Sequence, residues 1–237
     1  MSEERIYDKK FIHYYFDEFP EEVEWVFSNR KVESFGDFGC GDGSLIYSLN
    51  KFGYFDKVKK VVAIDISDIR LDRVKNISDK ILTYKFNLND PIPDEYKDFF
   101  DFVVCTQVIE HIENEDIAID NLVKSLKKGG VLYLTTVYKK WYGWYFYKNS
   151  QNKWVIDPTH VREYTSDDQF LPKLESRGLK ILKEEKKLFW FPITDFVLKR
   201  VGFRNDIYLK SRLARFLRKF KLPIIGYYSW NILLEKL

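Results

Sequence analysis

Two periodicities divide most of this chain. Short β-rich runs at 32–38, 58–64, 81–86, 99–105 and 131–137 predict strands, 58–64 being strongly apolar. The longer stretches between them space their apolar residues three and four apart, as helices do. The clearest helix is expected at 115–127, where Ala118, Ile119, Leu122, Val123 and Leu126 form one stripe. Glu113, Glu115 and Asp116 sit at its start, Lys124, Lys127 and Lys128 at its end, and Gly129 and Gly130 stop it. Further helices are expected at 9–19, 20–28, 44–52, 68–77 and 167–177, the second opening on Pro20 and acids. Two last strands are expected at 179–191 and 227–234.

Apolar strands alternating with helices predict an α/β fold, a Rossmann-like, seven-stranded, mostly parallel sheet with helices on both faces. No internal repeat or low-complexity linker interrupts the chain, so one domain over 1–237 is the simplest account. Sheets of this kind bind ligands at the carboxyl ends of their strands.

Composition narrows the class. The chain is 45% hydrophobic and 32% charged, which excludes a disordered protein. Its two cysteines, Cys40 and Cys105, are too few for a disulfide framework and lack metal-ligand spacing. The polar N-terminus has no signal-peptide core, and no apolar stretch approaches a membrane span. A cytoplasmic protein is expected.

Charge is uneven. Residues 199–221 hold nine of the 39 Lys/Arg and one of the 36 Asp/Glu, Asp206. A basic helix at 207–221 is expected to be amphipathic, with Leu209, Leu213, Phe216, Leu217 and Phe220 on one face. It reads first as a cap on the core, next as a peripheral contact with an anionic membrane surface, and third as a nucleic-acid contact.

The chemistry starts at the end of the first expected strand. Asp37, Gly39, Cys40, Gly41, Asp42 and Gly43 form a loop of the type D-x-G-x-G-x-G that opens onto a helix. Asp65 ends the second strand, where an acid can accept from both hydroxyls of a nucleoside ribose. A dinucleotide would need G-x-G-x-x-G/A to seat its pyrophosphate on the helix N-terminus. S-adenosylmethionine (SAM) has no phosphate but carries a cationic amino group and a sulfonium, which suit the acid ahead of the loop.

Five segments in order, DFGCGDG (37–43), VVAIDIS (61–67), FNLNDPIP (86–93), FDFVVCTQVIEHI (100–112) and LKKGGVLYLTTV (126–137), resemble the SAM-binding core of class I methyltransferases. The resemblance is nearest to the subgroup that contains ubiquinone-type O-methyltransferases. It implies N-terminal helices at 1–30, a SAM-binding core at 31–137 and acceptor-side insertions at 138–165 and 192–225. It also implies that SAM is turned into S-adenosylhomocysteine.

The same resemblance gives roles to residues. Gly39, Gly41 and Gly43 would flank the methionine part, Asp65 would hold the ribose, and Ile66 would lie against the adenine. Asn87 stands where the family usually has Asp, and its side-chain oxygen can still meet the adenine amino group. Leu88 would offer a backbone N–H. Cys105, Thr106 and Gln107 would line the methionine end, although Cys105 reads equally as a small buried residue. Metal-assisted relatives carry E-x-x-E-H as ligands, and this chain has Gln107 in the first position, so no metal is expected. Glu110 and His111 are candidates for catalysis, His111 as general base, or for ordering the loop. His160 and Arg162, in a segment shared with the subgroup, would face the acceptor.

Seven of the ten residues 138–147 are aromatic, which reads either as a lid over the acceptor or as a helix packed on the body. The expected acceptor is an oxygen of a small molecule, glycan or lipid-linked compound. The alternatives are a nicotinamide-dependent oxidoreductase, which shares the logic of loop and acid, and a non-catalytic interaction module of the same fold.

Overall fold

The computed structural model describes residues 19–192, 212–217 and 219–237. The helix expected at 9–19, except for Phe19, and much of the basic segment lie outside the described residues. Pro20 caps α1 (Glu21–Asn29), whose first turn sets Glu21, Glu22 and Glu24 at the positive end of the helix dipole. Then come β1 (Ser34–Phe38), α2 (Ser44–Lys51), β2 (Lys60–Asp65), α3 (Asp68–Lys75), β3 (Ile81–Lys85), β4 (Phe100–Thr106), α4 (Glu115–Ser125) and β5 (Leu126–Lys139). A small hairpin of β6 (Tyr147–Lys148) and β7 (Trp154–Val155) follows, then α5 (Leu171–Glu175), β8 (Leu179–Pro192), α6 (Arg212–Leu217) and β9 (Lys221–Lys236).

Seven strands form one sheet in the order β3-β2-β1-β4-β5-β9-β8. The first five are parallel, and β9 runs antiparallel to both β5 and β8. β1 lies between β2 and β4, so the chain builds one side of the sheet and then the other. That reversal opens a crevice at the carboxyl ends of β1 and β4, where sheets of this type bind ligands.

The apolar runs divide residue by residue between two cores. Val61, Ala63, Phe102, Val104 and Tyr133 face α1, α2 and α3, where they meet Val26, Leu49 and Val74. Their neighbours Val62, Ile64, Val103, Cys105 and Leu134 face the other way and pack with Ala118, Ile119 and Leu122 of α4. Alternation along each strand, with both faces covered, is why consecutive residues such as Val61 to Ile64 are all apolar.

Several expectations are corrected. α4 ends at Ser125, because Leu126 already pairs with Phe100 and the chain bulges through Gly129 (φ 75°) before Val131 meets Phe102. The helix expected at 167–177 is a single 3-10 turn, Asp167–Gln169, followed by α5. It breaks at Phe170 (φ −131°) and restarts with Pro172 in its first turn. β9 starts well before 227, at Lys221, where its extension pairs with the far end of β8 alone, since β5 pairs it only over 227–235. The basic helix expected at 207–221 is described only over Arg212–Leu217, and Lys221 already belongs to β9.

Candidate active site

The loop after β1 is shaped by glycine. Gly39 and Gly43 both sit near φ 78°, in the left-handed region. A Cβ on Gly39 would lie 2.3 Å from Cγ2 of Val108, and one on Gly43 would lie 2.8 Å from Cδ1 of Ile77. The turn therefore packs against the β4–α4 loop on one side and the end of α3 on the other. Asp42, almost wholly buried, pairs with Arg73 of α3 at 2.5 Å and fixes the loop to that helix.

Asp65 reaches across from β2. Its Oδ2 accepts from Gly41 N–H and its Oδ1 from Ser67 N–H, both at 2.9 Å. Asp37 is buried beneath the loop, and its Oδ1 has no hydrogen-bond partner among the described residues. Burial, and then the nearby Asp65, push its pKa up to about 8. A buried carboxyl without a partner, next to a second acid, is a site that a cation would complete. The residues therefore fit the amino group and sulfonium of SAM, with Asp37 and the glycine turn at the methionine end and Asp65 at the ribose.

Ile66, expected against the adenine, is exposed just after β2. Asn87 Oδ1 accepts from the backbone and side-chain nitrogens of Asn89, which folds the segment into a turn. Asn121, on the buried stripe of α4, donates to Leu88 O and Asp90 O and accepts from Ile92 N–H. It holds the backbone of this loop in place. A polar residue inside an apolar stripe was the sequence signal for it.

β4 ends in a strained residue. Gln107 has φ 55°, unusual for a side chain with a Cβ, and its N–H and Nε2 both reach Thr135 Oγ1 at 3.1 Å. Thr106 lines a cavity of about 370 Å³ with Ser44, Leu45, Tyr133, Thr135 and Asn231 among its other walls. Cys105 lies wholly in the core that faces α4. Of the three residues expected at the methionine end, Thr106 opens on this cavity, Gln107 is tied to Thr135, and Cys105 is buried in the core.

The structure brings Glu110, His111 and His160 together, with one ligand-type atom from each within 4.8 Å of the other two. Glu110 is fully buried. Thr136 Oγ1 donates to its Oε2 at 3.0 Å, and Oε1 has no partner among the described residues. Desolvation raises its pKa to about 7. The His111 ring opens to solvent on one side, while desolvation and the neighbouring His160 hold its pKa down to about 4. The two imidazoles meet edge to face at 4.7 Å. His160 Nδ1 lies 3.1 Å from Glu163 Oε1 and donates to it.

A tautomer follows for His111. Its Nδ1 is 3.0 Å from Thr159 Oγ1, and Thr159 spends its own proton on Asp157 Oδ1 at 2.6 Å. Nδ1 must therefore donate, and Nε2 keeps a free lone pair. Thr159, Asp157, Thr136 and Glu163 were not singled out in the sequence, since their roles exist only once 157–163 folds over the β4–α4 loop. Arg162 departs from expectation. Its guanidinium donates to the carbonyls of Ile109, Ile112 and Glu113, so it clamps that loop and does not face an acceptor.

The aromatic run is no packed helix. Tyr138 is buried, whereas Trp141, Tyr142, Trp144, Phe146 and Tyr147 are exposed. No described helix is long and apolar enough to cross a membrane.

The methyltransferase domain family matches residues 8–184. The ubiquinone biosynthesis O-methyltransferase of Bartonella quintana is 24% identical over 175 residues, 71% of this chain and 67% of that protein. The mitochondrial ubiquinone biosynthesis O-methyltransferase of Dictyostelium discoideum is 34% identical over 114 residues, 44% of this chain and 35% of that one. Against most of the curated relatives it matches, the chain thus spans less than two thirds of their length. Among solved structures, an S-adenosylmethionine dependent methyltransferase from Mesorhizobium loti superposes with a TM-score of 0.57 at 17% identity, over 93% of this chain and 98% of that one. The cyclase SpnF superposes with a TM-score of 0.62 at 18% identity, over 91% of this chain and 79% of that one, so the fold alone does not dictate the chemistry. The family match, and not the fold, carries the assignment: this chain belongs to the methyltransferase domain family and is a SAM-dependent methyltransferase.

Proposed function

We propose that the chain transfers the methyl group of SAM to an oxygen, the hydroxyl of a small-molecule, glycan or lipid-linked acceptor. The observation that carries this reading is His111, whose Nδ1 is engaged by Thr159 and, through it, Asp157, which leaves Nε2 as the basic nitrogen beside the buried Glu110. A hydroxyl acceptor must lose its proton as the methyl arrives, whereas a neutral amine needs no base at that step. His111 is neutral at pH 7, so its free nitrogen can take that proton. The relatives named above are O-methyltransferases, which favours the same atom.

When bound, SAM supplies an already activated methyl group, and the protein's part is to align it and keep water away. Asp37 meets positive charge at the methionine end, and Asp65 holds the ribose. Gln107 and Thr106 fix the end of β4 against β5. The Glu110 carboxyl, protonated up to about pH 7, is set beside His111 and His160 without adding a charge to them.

The test is transfer of label from tritiated SAM to matched pairs of acceptors, a hydroxylated prenyl phenol and the corresponding amine. Methylation of the hydroxyl compound is expected. His111→Ala should lower kcat on it by about 100-fold with SAM affinity unchanged. Transfer only to the amine would overturn the oxygen assignment, and normal turnover by His111→Ala would remove it as the base.

A further inference from the structure

Three pieces of chain meet at the carboxyl-end edge of the sheet. They are the loop that leaves β5 and forms the β6–β7 hairpin, the far end of β8, and the start of β9, which α6 precedes in the chain. Lys140 N–H donates to Gly226 O at 2.8 Å, and a Cβ on Gly226 would lie 2.5 Å from Cα of Gly143. Trp190 pairs with Pro223, and Phe191 with Leu222. The apolar side chains here turn outward: Trp141 is 91% exposed, Ile225 69% and Phe146 68%. Leu213 and Phe216 of α6 are exposed as well. Isolated exposed apolar residues are ordinary, whereas a run of neighbours marks a contact surface.

Charge indicates the partner. Residues 138–153, 187–192 and 212–226 contain ten Lys/Arg and no Asp/Glu, in a chain whose totals are 39 and 36, and of the ten Lys139 pairs with Glu163 and Lys187 with Glu22 and Glu185. Lys148 Nζ lies 4.6 Å from the ring centroid of Trp154, so cation and aromatic ring are presented together. The matching partner is anionic and apolar at once. Trp and Tyr settle at the headgroup level of a bilayer, Leu and Ile reach the acyl boundary, and Lys and Arg meet anionic headgroups. Single-stranded nucleic acid would use the cations and the rings, but Leu213, Leu222 and Ile225 offer no flat face for a base to stack on.

We propose that this surface docks the protein onto an anionic lipid bilayer. β9 is antiparallel to β5, so the start of β9 lies beside the end of β5, at the same edge as Glu110 and His111. Docking would turn that edge toward the lipid. The proposal stands on the surface alone and not on the oxygen acceptor.

The full chain is sedimented with vesicles of phosphatidylcholine, with or without one quarter phosphatidylglycerol, at low and high salt. Binding is expected only to the anionic vesicles, weaker in high salt, with tryptophan fluorescence quenched by brominated lipid. Lys148→Glu with Lys219→Glu should weaken binding by at least about 25-fold, at roughly fivefold per charge. Trp141→Ser with Ile225→Ser should weaken it while leaving the salt dependence. Both double variants are expected to bind SAM as the parent does, which separates docking from folding and from the methyl-transfer reading. Equal binding to both vesicle types, no binding, or displacement by a single-stranded RNA oligonucleotide would overturn the proposal. Concentration-dependent self-association lost in Trp141→Ser would assign the surface to a second copy and overturn it too.

Discussion

The Thr159 hydroxyl lies 3.0 Å from Nδ1 of His111. Thr159 also donates to Asp157, whose carboxyl is held below its usual range by hydrogen bonds from the Thr159 hydroxyl and N–H, against the cost of burial. An ionised Asp157 orients Thr159, and Thr159 orients the imidazole. Thr159→Val should therefore lower kcat by about 10-fold with little change in SAM affinity, whereas Thr159→Ser should restore it. Isothermal titration with SAM and steady-state kinetics separate the two effects. A loss of SAM binding equal to the loss of kcat would mean that Thr159 only supports the fold.

Asp37 should make SAM binding pH-dependent. Its folded pKa of about 8 leaves it protonated at neutral pH in the protein without ligand. A bound cation favours the ionised form, so binding SAM should release a proton. The sign is fixed: affinity rises with pH, by about tenfold per unit between about pH 6 and 7.5, below the titration of SAM's own amino group. Titration calorimetry in two buffers of different ionisation enthalpy would count the proton. Asp37→Asn should abolish the slope, and a slope that survives in that variant would assign the proton elsewhere.

Much of this site is written in local sequence, and part of it is not. Gly39, Gly43 and Asp65 are legible because a left-handed turn and a strand-end acid are demands of a few adjacent residues. The alternation of Val61 to Ile64 across two cores is legible for the same reason. The partners of His111 are not, since Asp157 and Thr159 stand almost fifty positions away and arrive only because Val161 N–H and Arg162 bind the β4–α4 loop. The same distance explains Arg162. Its sequence context suggests the acceptor, while its charge is spent on carbonyls that the end of a 3-10 turn leaves open. The length of β9 was hidden too, because its start pairs with β8 alone and so tolerates the Pro there.

Glu110, His111 and His160 have the donor types of a metal centre, and Gln107 alone stands against a metal. Its uncharged amide is a poor ligand beside a carboxylate. Chelator is expected to leave turnover unchanged, and equilibrium dialysis should show no stoichiometric Mg²⁺ or Zn²⁺. Gln107→Glu adds the missing charge and should create measurable metal binding. Loss of activity of the parent protein in EDTA, restored by either ion, would show that the three donors suffice.

Asn121 tests how firmly the adenine side is held from outside the site. Its amide makes three hydrogen bonds to the backbone of 88–92 and is buried. Asn121→Leu fills the space but leaves one N–H and two carbonyls without this partner. At about 1 kcal/mol or more for each orphaned group, the loss should come to about 3 kcal/mol. For a chain of this size that lowers Tm by roughly 6–12 °C. Asn121→Asp keeps the acceptor for Ile92 N–H but sets a carboxylate against two carbonyls, so it should be no better than Asn121→Leu. Both variants should weaken SAM more than they weaken methionine alone, because the displaced loop carries Asn87 and Leu88. Equal losses for the two ligands would place the effect in general stability and detach Asn121 from the adenine pocket.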